Sequence, residues 1–201
     1  MFIVFEGGDG AGKTTQVALL ASWLESSGRT VVCTRQPGGT ELGARIRELV
    51  LSPASGDVDP RAEALLYSAD KAQHVAETIR PALAAGADVV CDRYVDSMIA
   101  YQGAGRVLDA SEIAEISQWA TGGLRPDLTI LLDVDPADAL ADKDESDRLE
   151  AAGEDFHARV REGFLALAAQ DPQRYVVIAT RQPREEIAEQ VRRAVTARER
   201  S

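Results

Sequence analysis

The sequence predicts an α/β fold, a three-layer sandwich with helices on both faces of a five-stranded parallel sheet. Three observations carry this. Five short, almost continuously apolar runs recur along the 201 residues, as strands buried on both faces require. Segments of helical periodicity separate them, which calls for crossover connections of one hand. A glycine-rich loop joins the first run directly to the first helix.

In chain order, residues 2–6 form the first apolar run. Val17, Leu20, Ala21 and Leu24 then recur at helical spacing, and Gly28 provides a C-terminal stop. Residues 30–34 read as the second strand, and 88–92, 128–133 and 175–179 as three more. Helical patterns cover 42–51, a long stretch 60–85, then 97–103, 111–120, 156–169 and 184–197. The segment 135–155 breaks the composition. Between residues 134 and 155 stand nine carboxylates against two cations, Lys143 and Arg148, with no consistent apolar face. It reads as an excursion from a single domain spanning 1–201 rather than as a linker.

Composition narrows the function classes. Apolar residues are 45% and charged residues 27% of the chain, an ordinary globular mix that can bury a core without disulfides. A net charge of −11 argues against nonspecific binding to nucleic-acid backbones or anionic membranes. No run approaches a membrane span, and the N-terminus meets an acid and glycines too early for a signal peptide. Cys33 and Cys91 lie in apolar runs without metal-ligand spacing, and the expectation is two buried free thiols in a cytoplasmic protein. The chain has no asparagine, so it lacks the Asn-Lys-x-Asp element that reads guanine.

The sharpest chemical signal is Gly7-Gly8-Asp9-Gly10-Ala11-Gly12-Lys13-Thr14, a complete G-x-x-x-x-G-K-[ST] pattern placed between a strand and a helix. Glycines let successive N–H groups point inward at a helix N-terminus, making a nest for anions. Lys13 would reach the β- and γ-phosphates of a nucleoside triphosphate, and the Thr14 hydroxyl would hold Mg²⁺. Thr15 follows at the helix start. The spacing G-x-G-x-x-G of dinucleotide folds does not occur.

Further motifs appear in order: FEGGDGAGKTTQ, TRQPGGTELGARIRELVL, LLYSADKAQHV, DRYVDSMIAYQGAG, PDLTILLDV, DRLE and FHARVREGF. Together they resemble the bacterial thymidylate kinases, within the P-loop nucleoside monophosphate kinases, over residues 2 to about 195. The resemblance implies ATP- and Mg²⁺-dependent phosphorylation of dTMP to dTDP by a homodimer. It implies that Asp9 lies near the acceptor sugar and that Arg93 clamps the acceptor phosphate. A guanidinium fork suits that task, since it can hold a phosphate and leave one oxygen free to attack. Asp92 would assist Mg²⁺ from the outer sphere. Arg35, Gln36, Pro37 and Arg47 would line the acceptor-phosphate pocket, and Tyr67 would stack on the base. Lys71 would reach the base or phosphate, while Ser97, Met98, Tyr101 and Gln102 close over the nucleoside. Arg148 would stabilise the transferring phosphoryl group from a lid at about 135–155. Adenine would pack against residues 179–183, and His74 and His157 are expected to be structural.

Four departures from the family pattern matter. Lys71 stands for the usual arginine and Gln36 for the usual glutamate. Met98 occupies a position where small polar residues usually contact the base edge, and the lid segment is poor in arginine. A point charge cannot copy bidentate geometry, and apolar contact discriminates bases less sharply than a hydrogen bond. Two rival expectations follow: a kinase for another or modified pyrimidine monophosphate, and a non-catalytic nucleotide-binding homologue.

Overall fold

A computed structural model describes residues 1–106, 108–135 and 153–200. Five strands form one sheet: β1 (Phe2–Glu6), β2 (Val31–Arg35), β3 (Asp88–Asp92), β4 (Leu128–Asp133) and β5 (Tyr175–Ala179). Their order is β2-β3-β1-β4-β5, and every pairing is parallel. β1 therefore sits in the middle, all five of its residues buried, with β3 and β4 on either side.

Successive residues of β1 serve opposite layers. Ile3 and Phe5 join a core with Val17, Leu20 and Leu24 of α1 (Lys13–Ser26) and Ile187 and Val191 of the last helix. Phe2 and Val4 face Val75, Ile79 and Tyr94 on the other side. The remaining helices are α2 (Glu41–Leu51), α3 (Pro60–His74), α4 (Arg80–Ala84), α5 (Val95–Met98), α6 (Ala110–Thr121), α7 (Glu154–Gln170) and α8 (Arg184–Glu199). Local chemistry sets several starts. The Thr40 hydroxyl accepts from the Gly43 amide, and Asp59 accepts from the Arg61 and Ala62 amides ahead of Pro60.

The long helix expected over 60–85 is interrupted. α3 widens into a π-helical turn, Val75–Ile79, before continuing as α4. Pro81 explains this: it has no N–H, and its ring would collide with the carbonyl four residues back in a regular helix. The helix expected over 97–103 starts earlier, at Val95, and passes into a second π-helical segment, Ile99–Gly105. There the backbone comes so close to α7 that a Cβ on Gly105 would strike the Phe156 ring.

One further expectation changes. Cys91 is buried, but Cys33 is exposed, because β2 is an edge strand whose outer face only partly packs. The apolar stripe of α6 turns inward: Ile113 and Ala120 are buried and Ile116 packs beside them, whereas Trp119 is 82% exposed. The charged segment read as a lid falls mostly in 136–152, so Lys143 and Arg148 lie outside the described residues. Among the described residues no helix is long and apolar enough to cross a membrane.

Candidate active site

The glycine-rich loop leaves the centre of the sheet and turns into α1. Gly7 (φ +136°) passes against β4 so closely that a Cβ would overlap the Leu132 carbonyl. Gly10 and Gly12 also adopt left-handed φ, and Gly12 is the N-cap of α1. The first turn of α1 has no acidic residue, so its positive dipole end is left uncompensated. Ala11 anchors the loop by inserting into the core beneath it. The Lys13 ammonium folds back, donating to the carbonyls of Gly7 (3.2 Å) and Gly8 (2.6 Å). Burial, together with the Arg93 charge, brings its pKa down to about 8. Thr14 donates to Asp92 Oδ2 at 2.8 Å, joining the loop to the end of β3. Thr15 lies on the wall of the adjoining cleft with Gly10 and Gly12.

Arg93, immediately after β3, is the centre of the site. It holds φ +69°, a conformation that costs a non-glycine residue roughly 1–2 kcal/mol. Nη1 donates to the Gly7 carbonyl (2.9 Å) and to Ser97 Oγ (3.0 Å). Nη2 donates to Asp9 Oδ1 (2.5 Å) and to the Tyr101 hydroxyl (3.3 Å), which itself donates to Asp9 Oδ2 (2.9 Å). Burial opposes the charge, but Tyr101 and the carboxylates of Asp9, Glu6 and Asp92 raise the guanidinium pKa further. The acid inside a phosphate loop is thus a partner of Arg93 and Tyr101.

Behind Arg93 lies Glu6, which the sequence reading passed over. It is fully buried and accepts from the amides of Tyr94 (2.8 Å) and Ser97 (3.1 Å) and from Ser97 Oγ (2.5 Å). Burial, aided by Asp96, pushes its pKa up to about 7. The signal was present: a carboxylate closes an otherwise apolar strand at the middle of the sheet.

The structure gathers Asp9, Gln36, Pro37, Arg47, Tyr67, Lys71, Arg93, Ser97, Met98, Tyr101 and Gln102 around one cavity. Leu51 and Tyr94, not assigned to the site from the sequence, complete its wall. Arg35 is placed differently. It is exposed and lines the neighbouring cleft between the phosphate loop and residues 38–39.

The 35–39 loop is clamped by α3. Asp70 Oδ1 accepts from the Gly38 amide (2.9 Å), and the His74 ring bonds to Gln36 Nε2 (2.9 Å) and Thr34 Oγ1 (2.6 Å). Desolvation, reinforced by Lys71, pulls the His74 pKa down to about 4, so a neutral ring joins β2, the loop and α3. Arg47 donates to the Pro37 carbonyl at 3.1 Å. Lys71 is 2% exposed, with its ammonium 5.9 Å from the Tyr67 ring centre, and burial lowers its pKa. The Met98 sulfur accepts from the hydroxyls of Ser117 (3.2 Å) and Ser68 (3.7 Å). Gln102 Nε2 donates to buried Glu63 at 3.0 Å.

A third opening runs beyond the phosphate loop, between Gly10, Thr15 and Gln16 and the turn 179–182 after β5. Arg161 of α7 borders it, fixed by two bonds to Asp133 (2.7 and 2.9 Å) and one to Asp135 (3.2 Å). This cation was also missed. His157 is buried on the same helix, with its ring edge-on to Phe156.

The three openings meet at the phosphate loop, and Asp9 and Arg93 line two of them. Comparison with known proteins identifies the family. The family profile described as thymidylate kinase matches residues 5–191. A thymidylate kinase of Cutibacterium acnes is 61% identical over 196 residues, covering 98% of this chain and 96% of that protein. One from Deinococcus radiodurans is 51% identical over 201 residues, covering 98% and 97%. The crystal structure of thymidylate kinase from Ehrlichia chaffeensis superposes with a TM-score of 0.82 at 36% identity, covering 98% of both chains. By family profile, whole-length identity and fold alike, the chain belongs to the thymidylate kinase family.

Proposed function

We propose that the chain transfers the γ-phosphoryl group of ATP to dTMP, giving dTDP and ADP. The observation that carries this is the pair Asp9–Arg93, which forms a common wall between the phosphate-loop cleft and the cavity containing Tyr67. A donor triphosphate on the loop and an acceptor phosphate at Arg93 would then face each other across a short gap. Transfer between them needs alignment and positive charge more than a strong base.

In this reading Lys13 and the loop amides cradle the triphosphate, and the 179–182 turn borders its base. Arg93 holds the acceptor phosphate, with Arg35 and Arg47 contributing charge nearby. Asp9 and Tyr101 orient Arg93 and approach the sugar. Tyr67 stacks on the base, Lys71 addresses a base oxygen, and Ser97, Met98 and Gln102 complete the enclosure. The oxygen donors Thr14 and Asp92, bonded to each other, fit a hard divalent cation beside the loop. Mg²⁺ bound there would neutralise charge on the triphosphate oxygens. Nothing in the site calls for a covalent enzyme intermediate. We assign the reaction to the cytoplasm, with dTMP and ATP as its small-molecule partners and no nucleic-acid or membrane partner.

ADP release with ATP and Mg²⁺ across a panel of nucleoside monophosphates tests the assignment. Turnover with dTMP at kcat/KM about tenfold or more above dUMP is the expected result, since a methyl group in an apolar pocket is worth that order. Equal values for dTMP and dUMP would make the chain a broader pyrimidine kinase, and silence with every acceptor would refute phosphoryl transfer.

The same proposal includes a homodimer. Leu42 and Leu49 of α2, Leu65 of α3 and Trp119 of α6 are large apolar side chains left in solvent on mutually packed helices. Sedimentation equilibrium should give twice the 21.6 kDa chain mass. A single species at 21.6 kDa at micromolar concentration would contradict the dimer.

A further inference from the structure

We propose that Glu6 is a positioning residue for the acceptor end of the site, acting through Ser97 on Arg93. The proposal rests on the reading of Arg93 as the acceptor-phosphate clamp. Glu6 ends the central strand and never reaches solvent, so it cannot itself touch substrate. Its two oxygens take three donors from the turn that carries Arg93: the Tyr94 amide, the Ser97 amide and the Ser97 hydroxyl. Tyr94 is the N-cap of α5 and provides no side-chain cap of its own. The carboxylate of a distant strand therefore replaces a local cap, satisfying the cap amide and the third amide of the helix.

The Ser97 hydroxyl gives the geometry its direction. It has one hydrogen, and that hydrogen is given to Glu6 Oε2. A lone pair is then turned toward Arg93 Nη1, which donates to the same oxygen. Arg93 Nη1 also donates to the carbonyl of Gly7, the residue after Glu6. Gly7 thus fixes the guanidinium directly and Glu6 fixes it through Ser97, while Arg93 occupies a left-handed backbone conformation that needs such support.

The arrangement requires ionised Glu6. A proton on Oε2 would make it a donor, force the Ser97 hydroxyl to turn, and set its hydrogen against the Arg93 N–H. The groups whose charge Glu6 feels or influences are Asp96 on α5, Arg93, Lys13 on α1, Lys71 on α3, Cys91 on β3 and Tyr175 on β5. Burial first, and Asp96 second, raise its pKa to about 7, against the lowering by Ser97, Arg93 and Tyr94. The competent form is accordingly lost as pH falls through about 7.

Steady-state kinetics of Glu6→Gln between pH 5.5 and 9 provide the test. The glutamine keeps shape and one acceptor, but its amide end cannot accept from Ser97. A dTMP KM raised about tenfold or more is expected, the effect of losing a charge-assisted bond, with ATP KM little changed. The wild-type fall in kcat/KM for dTMP below pH 7 should flatten in the variant. Only the contribution of the substrate phosphate, which ionises near pH 6, would remain. Ser97→Ala should shift dTMP KM in the same direction, and the double variant should add little to Glu6→Gln. A folded Glu6→Gln enzyme with wild-type dTMP KM and pH profile would overturn the proposal. If that variant does not fold, unchanged dTMP KM in Ser97→Ala would overturn it instead. Arg93→Lys separates the two readings. If it leaves dTMP KM unchanged, the clamp assignment falls, and the positioning role with it. If it raises KM while Glu6→Gln does not, only the positioning role falls.

Discussion

Lys13→Ala is expected to reduce turnover by about 10³-fold, the order seen when a preorganised charge or donor facing a transition state is removed. The ammonium is already held at the loop, bonded to the Gly7 and Gly8 carbonyls. Its lowered pKa, about 8 from burial and the nearby Arg93, leaves it protonated in most molecules at neutral pH. Triphosphate charge would stabilise the proton further. Both hydrogen bonds go to backbone carbonyls rather than to side chains, and the fold should persist by circular dichroism. Single-turnover and steady-state ADP release would measure the effect. A loss smaller than tenfold would remove Lys13 from the chemistry.

Arg93→Lys is the second large effect, with dTMP KM expected to rise about 10²-fold and kcat to fall. Lysine keeps the charge but not the fork that reaches Gly7, Ser97, Asp9 and Tyr101 at once. Several charge-assisted bonds would be weakened together, each worth about 1.5–3 kcal/mol when intact. Asp9 would lose its bond to the guanidinium while the Tyr101 hydroxyl still donates to it. ATP KM should change less, since Lys13 and the loop amides hold the donor. Isothermal titration with each nucleotide separates the two sides. A dTMP affinity within threefold of wild type would dismiss the clamp.

The sheet was legible because every strand is short, apolar and flanked by helical spacing, and Val31–Arg35 differs from expectation by one residue. The phosphate loop was legible for a stronger reason: within eight consecutive positions, four are fixed by a backbone, charge or metal-ligand requirement. The acceptor cavity could be drawn from sequence by resemblance, and eleven of its residues converge. Arg35 did not join them: it ends the edge strand β2 and lines the neighbouring cleft. Glu6 and Leu51 were missed, and the partners of His74, expected only to be structural, could not be named, because these meetings join residues far apart in the chain. Glu6 meets residues 94 and 97, and His74 meets 34 and 36. Helical periodicity contains no information about such meetings. It also cannot register a π-helical turn, although Pro81 marked where regular helix had to fail.

The central place of β1 bears on how the protein folds. Its partners are far away: Phe2 pairs with Val89, 87 residues on, and Ile3 with Leu128, 125 residues on. Closing such long loops must precede the energetic return from the pairing, so assembly of the sheet centre is a slow, high-contact-order step. The strand that must wait longest for both neighbours is the one from which the phosphate loop springs. Nucleotide capture is then a property of the finished sheet, and a chain emerging from the ribosome gains it only after residue 133 is free to pair.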